Sequence, residues 1–155
     1  MRNGFRVTDD LQSRAKKVVA VAFATMGVKV LALHGIRNGA CTCPKGSSCP
    51  SAGKHPLGAL FRHGHKDASD HPVKIADALD GLSGYNIGVV PTGDLLVVDI
   101  DGPDGEAAVA KFDLPPTVTV KTGRGRHLYF FCDGLDGWRA PNINGVDFRY
   151  CGNGY

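Results

Sequence analysis

The segment from Ala40 to Pro56, ACTCPKGSSCPSAGKHP, places three cysteines and one histidine among glycine, proline, serine and lysine. It is too poor in apolar side chains to pack by itself, so its order has to come from something other than a hydrophobic core. Cys41, Cys43, Cys49 and His55 are spaced C-x-C-x5-C-x5-H. The N-terminus, MRNGFRVTDDLQSRAKK, has no apolar signal region, and no apolar run approaches the ~18 residues of a membrane span, so the chain is read as cytoplasmic. Stable disulfides are rare in that reducing compartment, and five cysteines cannot all pair. Tetrahedral zinc takes Cys3His sets of this kind, and four protein ligands leave no open position for water, which implies a structural ion in a loop spanning residues 36–56. Incidental thiols and a redox cluster of vicinal cysteines are the alternatives. Cys132 and Cys151 fall on expected strands and read as small core residues.

At 155 residues, 43% hydrophobic and 21% charged, the chain suits one domain with a true core, and its net charge of +3 permits a polyanionic partner without demanding one. Asp9 and Asp10 are placed to cap a helix whose buried face would carry Leu11, Ala15, Val18, Val19, Ala22, Phe23 and Met26, with Gly27 ending it. VKVLAL (28–33) reads as a buried strand. A second helix is expected in SDHPVKIADALDGL, capped by Asp70, with Pro72 in its first turn and Val73, Ile75, Ala76 and Leu79 as contacts. YNIGVV (85–90) and LLVVDID (95–101), separated by Pro91, Thr92, Gly93 and Asp94, predict a tight hairpin. A third helix is expected from about Gly105 to Asp113, stopped by Pro115 and Pro116. TVTVKT and RHLYFFC then flank a GRG turn, and GVDFRY is a last strand. The order suggests an α+β fold, a mixed sheet packed against helices, with no internal repeat or dividing linker.

Three elements carry possible chemistry. In LLVVDIDG, alternation puts Leu95, Val97, Asp99 and Asp101 on one face and Val98 and Ile100 on the other. Two carboxylates ~7 Å apart along a strand can converge on a hard cation, although Asp101-Gly102 also fits a plain Asx turn. The turn at Gly123, Arg124 and Gly125 offers backbone N–H groups beside cationic side chains, a possible anion nest with His127 at its rim, or an ordinary basic hairpin. Asp147 lies between Val146 and Phe148 and points to the face opposite theirs, as a third acid or a solvated strand residue.

A strand with Asp-x-Asp, a small residue two before a strand-borne histidine, and a strand with a single Asp occur here in that order. This resembles the three motifs of the archaeo-eukaryotic primase superfamily, in particular the primase–polymerase (Prim-Pol) domains at the N-termini of phage and plasmid replication proteins. GVKVLALHG, the cysteine loop ending in GKHP, NIGVVPTGDLLVVDIDGPDG, PPTVTVKTGRGRHLYF and NGVDFRYCGNGY all look like family segments, so the resemblance covers nearly the whole chain. It implies an RRM-like sheet joined to a small N-terminal αβ unit within one catalytic domain, 1–155. It also implies template-directed synthesis of primers or DNA from nucleoside triphosphates on single-stranded DNA. Asp99, Asp101 and Asp147 would hold Mg²⁺ or Mn²⁺, and His127 with Gly125, Arg124 and Arg126 would bind nucleotide, although strand alternation points Arg126 away from His127. Family members continue beyond the position of Tyr155 with further sheet, so a larger protein with a helicase segment is expected. The competing readings are a non-catalytic RRM-like nucleic-acid-binding module, with Phe130, Phe131 and Phe148 as stacking platforms, and a metal-dependent nuclease.

Overall fold

The structure, a computed structural model, describes residues 9–151, with side chains from residue 11 onward. The expected caps Asp9 and Asp10 therefore carry side chains outside the described residues. The chain forms two compact units, one ending at Val90 and the other beginning at Pro91. Among the described residues no helix is long and apolar enough to cross a membrane.

The first unit contains α1 (Asp9–Thr25), β1 (Lys29–His34), β2 (Ile36–Arg37), β3 (Ala40–Cys41), α2 (Pro72–Ala78) and β4 (Tyr85–Val90). β1 pairs antiparallel with β4, from Lys29↔Val90 to His34↔Tyr85. Its other edge is bonded too: Val30 and Ser69 exchange backbone hydrogen bonds, Leu57 N–H donates to Ala32, and His34 N–H donates to His55. Satisfied on both sides, β1 can bury Val30, Leu31, Ala32 and Leu33 together, as its continuous apolar run requires. α1 closes at Gly27, where the Val28 N–H reaches back to the Phe23 carbonyl.

Two expectations for these helices are corrected. The buried stripe of α1 is Ser13, Ala20, Phe23 and Ala24, while Leu11, Val18, Val19 and Met26 are exposed, with Ala15 and Ala22. The small side chains let the helix approach closely, so that the Tyr85 hydroxyl donates to the Ser13 carbonyl and the Gly84 N–H to the Ser13 hydroxyl. The cap of α2 is His71 rather than Asp70, its ring nitrogen accepting from Lys74 N–H. Ile75 and Leu79 are buried as expected, whereas Val73 faces solvent.

The second unit contains β5 (Leu95–Asp101), α3 (Gly102–Val109), β6 (Val118–Lys121), β7 (Gly125–Phe131) and β8 (Val146–Arg149). The sheet order is β6-β7-β5-β8, antiparallel throughout. Val98, Ile100, Val109, Leu128 and Val146 form its core, with Leu96, Phe130 and Phe148 packed against it. Ile100 is fully buried, a contribution of about 1.5–3 kcal/mol. The α+β architecture thus follows the sequence reading.

The hairpin expected between 85–90 and 95–101 does not form, although both strands do. β4 pairs with β1, and β5 is occupied on both edges by β7 and β8. Pro91–Asp94 instead lie where one unit gives way to the other. α3 starts at Gly102 with Pro103 in its first turn and ends at Val109, three to four residues earlier than expected at each end. Cys132 and Cys151 lie just beyond β7 and β8, half-buried and exposed, and neither is a core residue.

Candidate active site and metal cluster

Register, more than proximity in the chain, assembles the acids. On β5, Asp99 is directly opposite Asp147 of β8 on one side and His127 of β7 on the other. Opposite residues of an antiparallel pair share a face with Cβ atoms about 5 Å apart, so Asp147, Asp99 and His127 form one row across three strands. Asp101 lies on the same face two residues along, opposite Gly125. The opposite face carries Val98 and Ile100 into the core; on the acid face Leu95 and Val97 are buried as well, and only its Asp99–Asp101 end reaches solvent.

Each carboxylate has a cationic or hydrogen-bonding partner. His127 Nε2 lies 3.1 Å from Asp99 Oδ1. Arg124 bonds Asp101 at 2.8 Å and Arg149 bonds Asp147 at 3.1 Å. Asp99 is the most enclosed of the three, at 23% side-chain exposure against 40% for Asp101 and 70% for Asp147. The donors are all oxygen and stand on hydrogen-bonded strands, a set suited to hard divalent cations, which would take over the roles of the arginines as counter-charge.

The end of β5 is pinned from both sides, Asp101 N–H donating to Gly145 and Gly102 N–H to the Arg124 carbonyl. A Cβ on Gly125 would fall onto the Ile100 carbonyl oxygen and 2.9 Å from its carbon, so β7 approaches β5 there as only glycine allows. The GRG turn, however, is not an open nest. The Thr122 hydroxyl accepts from Arg124 N–H at 3.4 Å and Gly125 N–H at 3.0 Å, which occupies the two donors an anion would need. Arg126 points to the α3 face, as alternation anticipates, and makes a two-pronged ion pair with Glu106 at 2.9–3.0 Å. It is therefore separated from the His127 row.

Two residues of this face escaped the sequence reading. Tyr129 follows His127 by two on β7, and its hydroxyl lies 3.5 Å from His127 Nδ1. Burial, reinforced by the Asp99 charge, pushes its phenol up to about 12, so it remains a neutral group against the ring. Arg149 stands in the same relation to Asp147 on β8. The i+2 rule of a strand was the available signal for both. Of the three phenylalanines considered as stacking platforms, Phe130 and Phe148 pack on the core and Phe131 is exposed.

In the first unit, Cys41, Cys43, Cys49 and His55 converge, their ligand atoms all within 4.8 Å of one another. His55 Nε2 is 3.4 Å from both Cys41 Sγ and Cys49 Sγ, close to the ~3.5 Å edge of a tetrahedron with zinc–sulfur and zinc–nitrogen bonds of about 2.3 and 2.0 Å. Burial would raise the Cys41 thiol, but backbone N–H groups of Cys43 and Gly53, with the His55 and Cys43 side chains, bring it down to about 6. Burial and the neighbouring Cys43 and Cys41 sulfurs push Cys49 up. One thiolate thus forms readily while a second beside it costs energy, a conflict that a dication removes. The cluster fits structural zinc. His34, which ends β1, lies over His55 with ring centroids 4.6 Å apart and contacts Thr42 Oγ1 at 3.1 Å, a supporting layer with no signal in the cysteine spacing.

No curated protein and no solved structure matches the chain. Residues 20–155, which include both units' strands, the Cys3His cluster and the acid row, match the family model of the bifunctional DNA primase/polymerase, N-terminal domain. With that coverage, the chain belongs to the Prim-Pol family.

Proposed function

We propose that this chain carries out template-directed nucleotidyl transfer, making primers or DNA on single-stranded DNA from nucleoside triphosphates. The observation that carries the reading is the single row Asp147–Asp99–His127 with Asp101 beside it. Asp99, Asp101 and Asp147 would hold Mg²⁺ or Mn²⁺, which when bound supply charge neutralisation to the triphosphate and lower the pKa of the attacking 3′-hydroxyl. Asp99, the most enclosed acid, anchors the set and orients His127 through the Nε2 contact. When the nucleotide binds, His127 Nε2 exchanges Asp99 for a phosphate oxygen of the triphosphate, with the Tyr129 hydroxyl against Nδ1 keeping the ring in place. Arg124, 73% exposed, can leave Asp101 for the same phosphates. The acids and His127 stand on rigid strands, which suits a reaction whose rate depends on positioning.

The test is primer synthesis on a single-stranded template with Mn²⁺, with nucleotide and template affinities measured separately. Asp99→Asn should abolish product, and His127→Ala should weaken triphosphate binding while leaving template binding intact. Strand cleavage without any triphosphate would indicate a nuclease, and template binding unaffected by metal or nucleotide, with no product, a binding module. Equal losses of nucleotide and template affinity in His127→Ala would remove its assigned role.

A further inference from the structure

Six apolar residues of α1 and the turn that ends it, Leu11, Ala15, Val18, Val19, Ala22 and Met26, recur at helical spacing and are exposed. Val18 is 69% exposed, Met26 54%, Leu11 49% and Val19 46%. At about 100° per residue, all six fall within an arc of about 100°. Met26 belongs to the same turn, its N–H reaching the Ala22 and Phe23 carbonyls. The packed side of the helix lies roughly opposite, where Ser13, Ala20 and Ala24 are buried. Lys16 and Lys17 are directed to that side as well, bonding the Tyr85 carbonyl and the Asp80 carboxylate, each at 2.7 Å. Arg14 is the one charged residue among the exposed positions from 11 to 26, and it sits about 90° from the centre of the stripe. The helix therefore carries two apolar sides, one packed in its own unit and one facing solvent.

We propose that the exposed stripe is the contact surface of a homodimer, in which α1 lies antiparallel against α1 of a second copy of this chain. The order of the residues selects a second copy as the occupant, because the stripe reads alike in both directions about the point between Val18 and Val19. In a twofold pair centred there, Val18 faces the partner's Val19, Ala15 the partner's Ala22 and Leu11 the partner's Met26, and each contact occurs twice. Large side chains meet large ones at the ends and the middle. Alanine meets alanine between them, where the two backbones can come closest. The surface is apolar and poor in charge, as the centre of an interface is. Both stripes with their flanks amount to about 1,000 Å², the size at which specific interfaces begin, so the dimer is a reversible one that forms at micromolar protein.

The experiment is analytical ultracentrifugation of the full chain as purified, across a concentration series. A monomer–dimer equilibrium with a dissociation constant of about 1–100 μM is expected. Val18→Glu and Val19→Lys, both at solvent-facing positions, should each weaken it at least about tenfold, since each buries two unpaired charges in the seam, while the melting of dilute protein stays unchanged. Mixed in equal amounts, these two variants should pair with each other more tightly than either pairs with itself, because position 18 of one copy faces position 19 of the other. Leu60→Lys, at an exposed apolar position off the helix, should leave the equilibrium as it is. A parent chain that stays monomeric at about 100 μM, a Val18→Glu or Val19→Lys chain that dimerises like the parent, or an equal loss in Leu60→Lys overturns the surface. A monomeric parent that loses thermal stability in Val18→Glu shows the stripe covered by the chain itself and overturns the dimer too. Mixed variants that associate no better than either alone overturn the antiparallel register, and with it the choice of a second copy.

Discussion

Gly125→Ala tests whether the close approach of β7 to β5 has the consequences described. Gly125 is not among the residues with positive φ, so alanine is acceptable to the backbone. Considered alone, the loss of unfolded-state freedom would stabilise the protein by about 0.4–1 kcal/mol. Against that, the new methyl would land on the Ile100 carbonyl oxygen, 2.9 Å from its carbon and 3.3 Å from Asp101 Cα. Ordinary carbon contacts of about 3.5 Å require the strands to part by more than ~1 Å, too far for the adjoining ladder bonds. Two such bonds at ~1 kcal/mol each, plus strain of about 1–3 kcal/mol, outweigh the entropic gain. The expected net is a destabilisation of about 2–4.5 kcal/mol, large against a domain total of about 5–15 kcal/mol. In urea this lowers the midpoint by roughly 1–2 M with the slope unchanged. A midpoint that stays put or rises would refute the packing argument and leave Gly125 without a structural reason.

The remaining predictions concern the metal cluster and the charges. Protein purified without added metal should contain about one zinc per chain, and Cys49→Ser or His55→Ala should lose it together with the protection of the remaining thiols from alkylation. Arg126→Met should cost at most about 1 kcal/mol of stability, since its pair with Glu106 is 39–45% exposed, and should leave triphosphate affinity unchanged, whereas Arg124→Ala should weaken it. The Asp67 carboxyl is held below its ordinary value, first by the His63 backbone N–H and then by the His63 ring. The stability it contributes is present above its unfolded value and lost as pH falls through the lower folded one, so melting curves of Asp67→Asn and the parent should separate toward neutral pH and converge in acid.

The parts legible in the sequence were those governed by local rules. Strand alternation put Asp99 and Asp101 on one face and turned Arg126 away from His127, and the glycine-rich turn marked the β6–β7 hairpin. The Cys3His spacing converged in space as read. What escaped depended on distant partners. The turn residues Pro91–Asp94 could close a hairpin, but β5 has both edges filled by strands later in the chain, and β4 meets its partner about 50–60 residues earlier. The spacing of apolar residues in α1 selected Val18 and Val19, whereas the packed side uses Ser13, Ala20 and Ala24, where Tyr85 and Gly84 bond to Ser13. One miss was local: the Thr122 hydroxyl, two and three residues before the N–H groups it accepts from, closes the turn that looked ready for an anion.

The row Asp147–Asp99–His127 also sets which insertions and deletions such a domain can survive. Its members meet through strand pairing, so the exposed stretch of the β7–β8 connection around residues 139–142 can lengthen or shorten without moving any of them, whereas Gly145, which accepts from the Asp101 N–H, has to keep its place. One residue added inside β5, between Val98 and Asp99, is a different event. It would turn both acids onto the face now held by Ile100, bury their charges among Val109, Leu128 and Val146, and bring an apolar side chain to the wet face. Length variation among working relatives should therefore collect in the loops, and the spacing within each of these three strands should stay constant.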